Sequence, residues 1–114
     1  MEIKELNTVQ EMLQEYHVMQ HLYNELTIEK YETLLNDMIE NGYKQIAVLD
    51  LGKCIALCGY WTGSKLWCGK YIEMDNVIVH PKYRSKGAGQ FMSNYIEEKA
   101  KQLSCNILSL DAYT

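Results

Sequence analysis

The chain has 114 residues, 47% of them apolar and 23% charged, and a net charge of −4. This suits one small folded domain and excludes a disordered segment. The acidic balance argues against nucleic acid as a partner, because neutralising a phosphate backbone takes a cationic surface; a cationic substrate fits it better. No apolar run approaches the ~18 residues of a membrane span, and Met1-Glu2-Ile3-Lys4-Glu5 has no apolar signal core, so no membrane partner and a cytoplasmic location are expected.

Residues 1–6 alternate well enough for an edge strand. Asn7 or Thr8 then caps a helix on which Val9, Met12, Leu13, Tyr16, Met19, Leu22, Tyr23 and Leu26 recur at three- and four-residue steps. His17 and His21 lie four apart on it. The residue after His17 is Val18 rather than a glutamate and no third ligand is near, so no metal is expected. Thr27 starts a second helix that puts Ile28, Tyr31, Leu34, Leu35, Met38 and Ile39 on one side and stops at Asn41-Gly42.

Tyr43 to Leu51 reads as a strand, Gly52-Lys53 as a turn and Cys54 to Trp61 as the hairpin partner. Thr62-Gly63-Ser64-Lys65 reads as a second turn, and Leu66 to Gly69 leads into a strand from Tyr71 to Val79. Pro81, the only proline, ends that strand because it lacks the N–H of a ladder position. Ala88, Phe91, Met92, Tyr95, Ile96, Ala100 and Leu103 mark one face of a helix. Asn106 to Tyr113 then forms a strand parallel to the one before the helix, a β-α-β crossover. The order β-α-α-β-β-β-α-β predicts an α/β fold. Cys54, Cys58, Cys68 and Cys105 form no C-x-x-C pair and lie in or beside apolar runs, as buried free thiols do.

Between Val79 and Phe91 the chain reads His80-Pro81-Lys82-Tyr83-Arg84-Ser85-Lys86-Gly87-Ala88-Gly89-Gln90. A strand, a basic elbow with two glycines and a helix start bring together unpaired backbone N–H groups, the positive end of a helix dipole and three cations. That is a site for a phosphate or pyrophosphate. It is not a nucleotide P-loop, since Gln90 and Phe91 follow Gly89 where lysine and Ser/Thr are needed. Nor is it a dinucleotide fingerprint, whose third glycine falls on Met92. What remains, Val79-x-Pro81-x-Tyr83-Arg84-Ser85-Lys86-Gly87-Ala88-Gly89, resembles the acetyl-CoA-binding motif of the GNAT (Gcn5-related) N-acetyltransferase superfamily. The resemblance covers residues 43–114 well and the N-terminal part by the order of its elements.

The resemblance implies a GNAT-like mixed central sheet with helices on both faces. It also implies transfer of an acetyl group from acetyl-CoA, as cosubstrate, to a primary amine of a small molecule or peptide. Arg84, Ser85, Lys86, Gly87, Ala88, Gly89 and Gln90 would surround the pyrophosphate. Val77, Ile78 and Val79 would pair with the pantetheine arm like an added strand, one of their N–H groups polarising the thioester carbonyl. An alkylammonium has a pKa of about 10 and must lose a proton before it attacks. Glu73 and Asp75, two apart on the strand and so on one face, are the candidate catalytic carboxylates. Glu73 matches the position of the catalytic glutamate of the superfamily's histone acetyltransferases, and Asp75 that of a strand acid in glucosamine-phosphate acetyltransferases.

GNAT proteins normally continue past this strand with a further helix, which commonly carries the tyrosine that protonates the leaving thiolate, and with one or two closing strands. The expectation is therefore a single domain lacking that C-terminal helix and those strands, with an open edge ending at Tyr113 through which a homodimer can form. Tyr16, Tyr23, Tyr31, Trp61 and Trp67 are the candidates to line the substrate face. Two other readings compete with an enzyme: a non-catalytic coenzyme A-binding module that has lost the acid, and an assembly module.

Overall fold

The computed structural model describes residues 1–108. Its strands are β1 (Glu2–Leu6), β2 (Tyr43–Asp50), β3 (Lys53–Lys65), β4 (Gly69–Val79) and β5 (Asn106–Leu108), and they lie in one sheet in chain order. The first four run antiparallel to their neighbours, and β4 and β5 are parallel. Helices α1 (Val9–Leu13), α2 (Tyr16–Met19) and α3 (Ile28–Glu40) pack on one face and α4 (Ala88–Gln102) on the other. The α/β order and the mixed sheet are as the sequence implies. Of the predicted last strand, Ser109 to Tyr113 lie outside the described residues.

Each face has its own core, because β2 and β3 are apolar on both sides. Tyr43, Ala47 and Leu57 meet Met12, Val18, Met19, Tyr31 and Leu35 of the N-terminal helices. On the other side Ile46, Val48, Ile55, Ile72 and Tyr60 meet Ala88, Met92, Ile96 and Ala100, the predicted stripe of α4. A latch holds α4 to the edge strand: the Glu5 carboxylate accepts from Tyr95 Oη at 2.6 Å, Lys99 Nζ at 3.2 Å and Tyr60 Oη at 3.2 Å. These bonds, the Tyr95 hydroxyl above all, hold the Glu5 pKa below the usual carboxylate value.

Three local expectations are corrected. The long first helix is broken at Glu15, which takes φ −108° and ψ 19°. On an unbroken helix Val18 would sit about 120° around from Met12, yet both are fully buried; the break turns both into one core. Leu22 and Tyr23, predicted on the apolar face, are exposed, and the Tyr16 hydroxyl ties this segment back to the Leu26 carbonyl. The first hairpin turn is Leu51-Gly52, both at positive φ, closed by the pair Asp50 and Lys53. That is the twist a two-residue hairpin turn requires.

The third correction concerns Thr62 to Lys65, which continue β3 rather than turn, so the hairpin tip moves to Leu66–Cys68. Gly63 misleads because its absent Cβ makes room for the Tyr71 ring across the strand, 2.7 to 2.9 Å from where a Cβ would sit. Gly59 does the same for Tyr43. A Cβ there would stand 2.2 Å from Tyr43 Oη; the glycine lets a phenol rooted on β2 cross β3 and reach β4. Gly59→Ala is expected to lower stability by about 1–3 kcal/mol through overpacking, read as a lower urea midpoint. An unchanged midpoint would mean that the phenol does not lie across this glycine.

Candidate active site

Strand β4 links the two halves of the site, and a bulge within it sets their geometry. Leu57 pairs with Ile78 and Gly59 with Asp75, so Asn76 and Val77 together oppose Cys58. Asn76 takes φ +54°, a left-handed conformation that asparagine tolerates better than most residues. The extra residue shifts the alternation. Met74, Val77 and Val79 all pack toward α4, while Asp75 and Asn76 both turn toward the N-terminal helices, where Glu73 also points. Glu73 and Asp75 thus share a face, as their spacing predicts.

The two carboxylates are held differently. Asp75 Oδ2 accepts from Trp61 Nε1 at 2.9 Å and Oδ1 from the backbone N–H of Asn76 at 2.8 Å. The carboxylate of half-buried Glu73 has no hydrogen bond to any described residue. Beside them runs a polar chain that sequence reasoning missed. Gln45 Nε2 donates to Tyr31 Oη at 2.7 Å and to Tyr43 Oη at 3.1 Å; Tyr43 Oη donates to Asn76 Oδ1 at 2.9 Å, and Asn76 Nδ2 donates to Tyr23 Oη at 2.7 Å. Gln45 is fully buried and its Oε1 has no partner among the described residues. Burial pushes the Tyr31 hydroxyl up to about 12 and Tyr43 well above the usual phenol value, so both stay protonated at neutral pH. Nothing local in the sequence marks Gln45, Tyr43 and Asn76 as neighbours; a glutamine at the strand position between Tyr43 and Ala47, on the face those two share, was the available hint.

Tyr23, Tyr31, Tyr43 and Asn76 of this chain border a cleft of about 690 Å³, closed by other residues of α3 and of the 19–26 segment, while Gln45 lies behind them. Of the aromatics proposed for a substrate face, Tyr23 and Tyr31 line it. Tyr16 is used to bond the Leu26 carbonyl, Trp61 holds Asp75, and Trp67 stands exposed at the hairpin tip.

At its far end β4 gives way to a short 3₁₀ turn, Pro81–Tyr83, and then to the basic elbow. The backbone N–H groups from Arg84 to Gln90 donate to no acceptor among the described residues; the first bond of this stretch is Phe91 N to Gly87 O at 3.0 Å. Ser85 at φ +76° and Gly87 at φ +83° turn the chain, and Gly87 caps α4 with no side chain. Gly89 is different. Its φ is not positive, and a Cβ there would meet nothing within 4 Å, so neither backbone strain nor an internal neighbour requires a glycine. What the missing Cβ leaves is open space in front of free amides at the positive end of a 15-residue helix, which fits an approaching phosphate.

Lys82, Arg84 and Lys86 are exposed and make no ion pair among the described residues, where Glu5 with Lys99 is the one salt bridge. Lys53, brought in from the start of β3, and Lys86 each place an ammonium 5.6 Å from the Tyr83 ring centroid. The elbow is thus a patch of uncompensated positive charge on an acidic chain. Along Met74–Val79 no described residue of β5 pairs with β4, since that ladder covers only Tyr71–Glu73. Cys54 and Cys58 are buried, and burial pushes each thiol up to about 12, so neither offers a thiolate nucleophile at neutral pH. Cys68 and Cys105, expected to be buried too, are only half-buried because they lie just before β4 and β5 rather than within a strand. No group of metal-ligating side chains occurs among the described residues, and His21 packs edge-on against His80 at 4.6 Å instead.

His80 makes the elbow sensitive to pH. Its Nδ1 accepts from the Lys82 N–H at 3.1 Å, which only the unprotonated nitrogen can do. Desolvation, and then the fields of His21, Lys53 and Lys82, hold its pKa below the ordinary 6.5. With the folded pKa lowered, the unfolded chain takes the proton first. This stabilisation is therefore full above the unfolded value and is lost as pH falls through the folded one. Denaturant titrations from about pH 7.5 down to about pH 5 are expected to show falling stability, with a shallower slope in His80→Asn, which can cap without titrating. Equal slopes would remove His80 as the cause.

The chain matches the Acetyltransferase (GNAT) family over residues 6–114. It is 25% identical over 111 residues to YhdJ, an uncharacterised N-acetyltransferase of Bacillus subtilis, covering 96% of this chain and 78% of that protein. Among solved structures, a GNAT family acetyltransferase of Staphylococcus aureus superposes with a TM-score of 0.78 at 19% identity, covering 97% of this chain and 87% of that one. An aminoglycoside N-acetyltransferase solved in complex with CoA superposes with a TM-score of 0.77 at 11% identity, covering 96% of this chain and 75% of the other. At those identities the structures speak for the fold, whereas the family match spans nearly all of the sequence. By that match, this chain belongs to the GNAT family of acetyltransferases.

Proposed function

We propose that the chain transfers the acetyl group of acetyl-CoA to a primary amine of a small molecule or peptide. The observation that carries this reading is the run of backbone N–H groups from Arg84 to Gln90 that donate to nothing among the described residues, at a helix start with no side-chain cap. Arg84, Ser85, Lys86, Gly87, Ala88, Gly89 and Gln90 hold the pyrophosphate, and Lys82, Arg84 and Lys86 offset the repulsion between a polyanion and a chain of net charge −4. Val77, Ile78 and Val79 offer the β4 edge to the pantetheine arm, where an N–H polarises the thioester carbonyl. Three residues of strand at about 3.3 Å each separate Asn76 from Val79, so the acids and the elbow lie at opposite ends of one short path.

When bound, acetyl-CoA supplies the activated acyl group. Glu73, its carboxylate free of protein hydrogen bonds among the described residues, accepts the proton that the ammonium must lose, directly or through one water. The nitrogen then forms the N–C bond as the C–S bond breaks; the electron pair leaves on the coenzyme A sulfur, and that thiolate takes up the second proton the nitrogen sheds, giving the amide and free thiol. Asp75, fixed by Trp61 and the Asn76 N–H, holds its carboxyl group beside the incoming amine and braces the bulge. Acetyl-CoA-dependent release of free thiol on a panel of primary amines tests the reading. Saturable coenzyme A binding with no release on any amine would overturn it in favour of a binding module.

A further inference from the structure

The cleft beside Asn76 opens on the same sheet face as Glu73 and Asp75, and its lining is uneven in chemistry. One wall is aliphatic, made by Met19, Leu26, Leu34 and Met38, whereas Tyr43 and Asn76 close the end against the sheet. Leu34 is 45% exposed on α3, an apolar side chain facing a cavity rather than a core. Two ionised groups reach the lining, Glu25 and Lys30, and their charges cancel. The volume, about 690 Å³, lies within the ~300–1,000 Å³ of small-molecule sites.

We propose that this cleft receives the acyl acceptor, and that the acceptor is a monoamine with an apolar or aromatic body. Its nitrogen lies at the Asn76 end and its body against Leu26, Leu34 and Met38. The inference rests on the acetyltransferase reading above and deepens it. A polycationic aminosugar carries several ammonium groups and many hydroxyls, each of which loses water on entry and needs a new partner. Here it would find one carboxylate, a lysine on the same lining, and an aliphatic wall that satisfies none of those groups. A monoamine has one charged group to place, at the Asn76 end next to Asp75 of β4, while the rest of it, unlike that of an aminosugar, is hydrocarbon that covers apolar surface otherwise wet.

The test uses the whole chain labelled at its methionine methyl groups, with 2-phenylethylamine as the apolar probe and kanamycin as the polycationic one. Saturable shifts of the Met19 and Met38 methyls with 2-phenylethylamine, and at least tenfold weaker binding of kanamycin, are expected. Leu34→Lys, at a position whose side chain is not needed by the core, should weaken 2-phenylethylamine at least tenfold, through lost apolar contact and like-charge repulsion together, and leave coenzyme A affinity unchanged. Kanamycin binding as tightly as 2-phenylethylamine, or no methionine shift with the apolar amine, overturns the inference. Thiol release with kanamycin but not with 2-phenylethylamine overturns it too, while leaving acetyl transfer intact. Methionine shifts without thiol release from any amine remove acetyl transfer itself, and the acceptor role with it.

Discussion

Glu73→Gln is expected to lower kcat about 100-fold or more, the scale of a lost general base, with coenzyme A affinity unchanged. The two carboxylates of β4 are not equivalent. Asp75 has an oxygen committed to the Trp61 indole at 2.9 Å and the other to the Asn76 N–H at 2.8 Å. A proton taken by either oxygen would set an O–H against an existing donor. Glu73, on the same face and with no hydrogen bond from its carboxylate to the described residues, can accept a proton without breaking anything. Asp75→Asn makes the comparison informative: its amide can still accept at one oxygen but presents N–H to a second donor, so its main effect should be lost stability at the bulge. Single-turnover rates with saturating acetyl-CoA separate the cases. A Glu73→Gln enzyme with wild-type kcat would transfer the base role elsewhere.

Gly89→Trp should weaken coenzyme A binding at least tenfold, about 1.4 kcal/mol, without lowering the melting temperature. The residue lies in the first turn of α4, its φ is not positive, and a Cβ meets nothing within 4 Å. A side chain there is therefore tolerated by the fold, and helix propensity favours it over glycine. The indole instead occupies the space in front of the free amides. Arg84→Glu with Lys86→Glu attacks the same site by charge rather than volume, since both cations are exposed and unpaired among the described residues. Calorimetric titration with coenzyme A reads both variants. Wild-type affinity in Gly89→Trp would mean that the elbow does not hold the diphosphate.

How far the sequence could be read depended on the range of the signal. The stop of α3 was visible because Gly42 adopts φ +97° beneath the Thr62 carbonyl, a local need that only glycine meets. The stripe of α4 was visible because Ala88, Met92, Ile96 and Ala100 repeat at the helical period and all are buried. The extent of β3 was not, since Gly63 makes room for an aromatic eight residues ahead, and a glycine in sequence does not reveal whether it turns the chain or accommodates a neighbour. The break at Glu15 was hidden for a related reason: the periodic pattern through Leu26 is compatible with one helix until Val18 and Met12 must enter the same core.

The elbow and the paired acids belong to the class of features a sequence determines alone, because both are properties of contiguous residues. Two-residue spacing on a strand sets a shared face, and a helix start frees its first amides, which Gly87 at the cap position has no side chain to bond. The cleft proposed for the acceptor is of the other kind. Tyr23, Tyr31, Gln45, Tyr43 and Asn76 come from four separate segments and meet through hydrogen bonds that span as many as 53 positions. Their meeting depends on a one-residue bulge in β4 and on a missing Cβ at Gly59. Long-range contacts of that sort follow from register and packing, which only the folded chain decides.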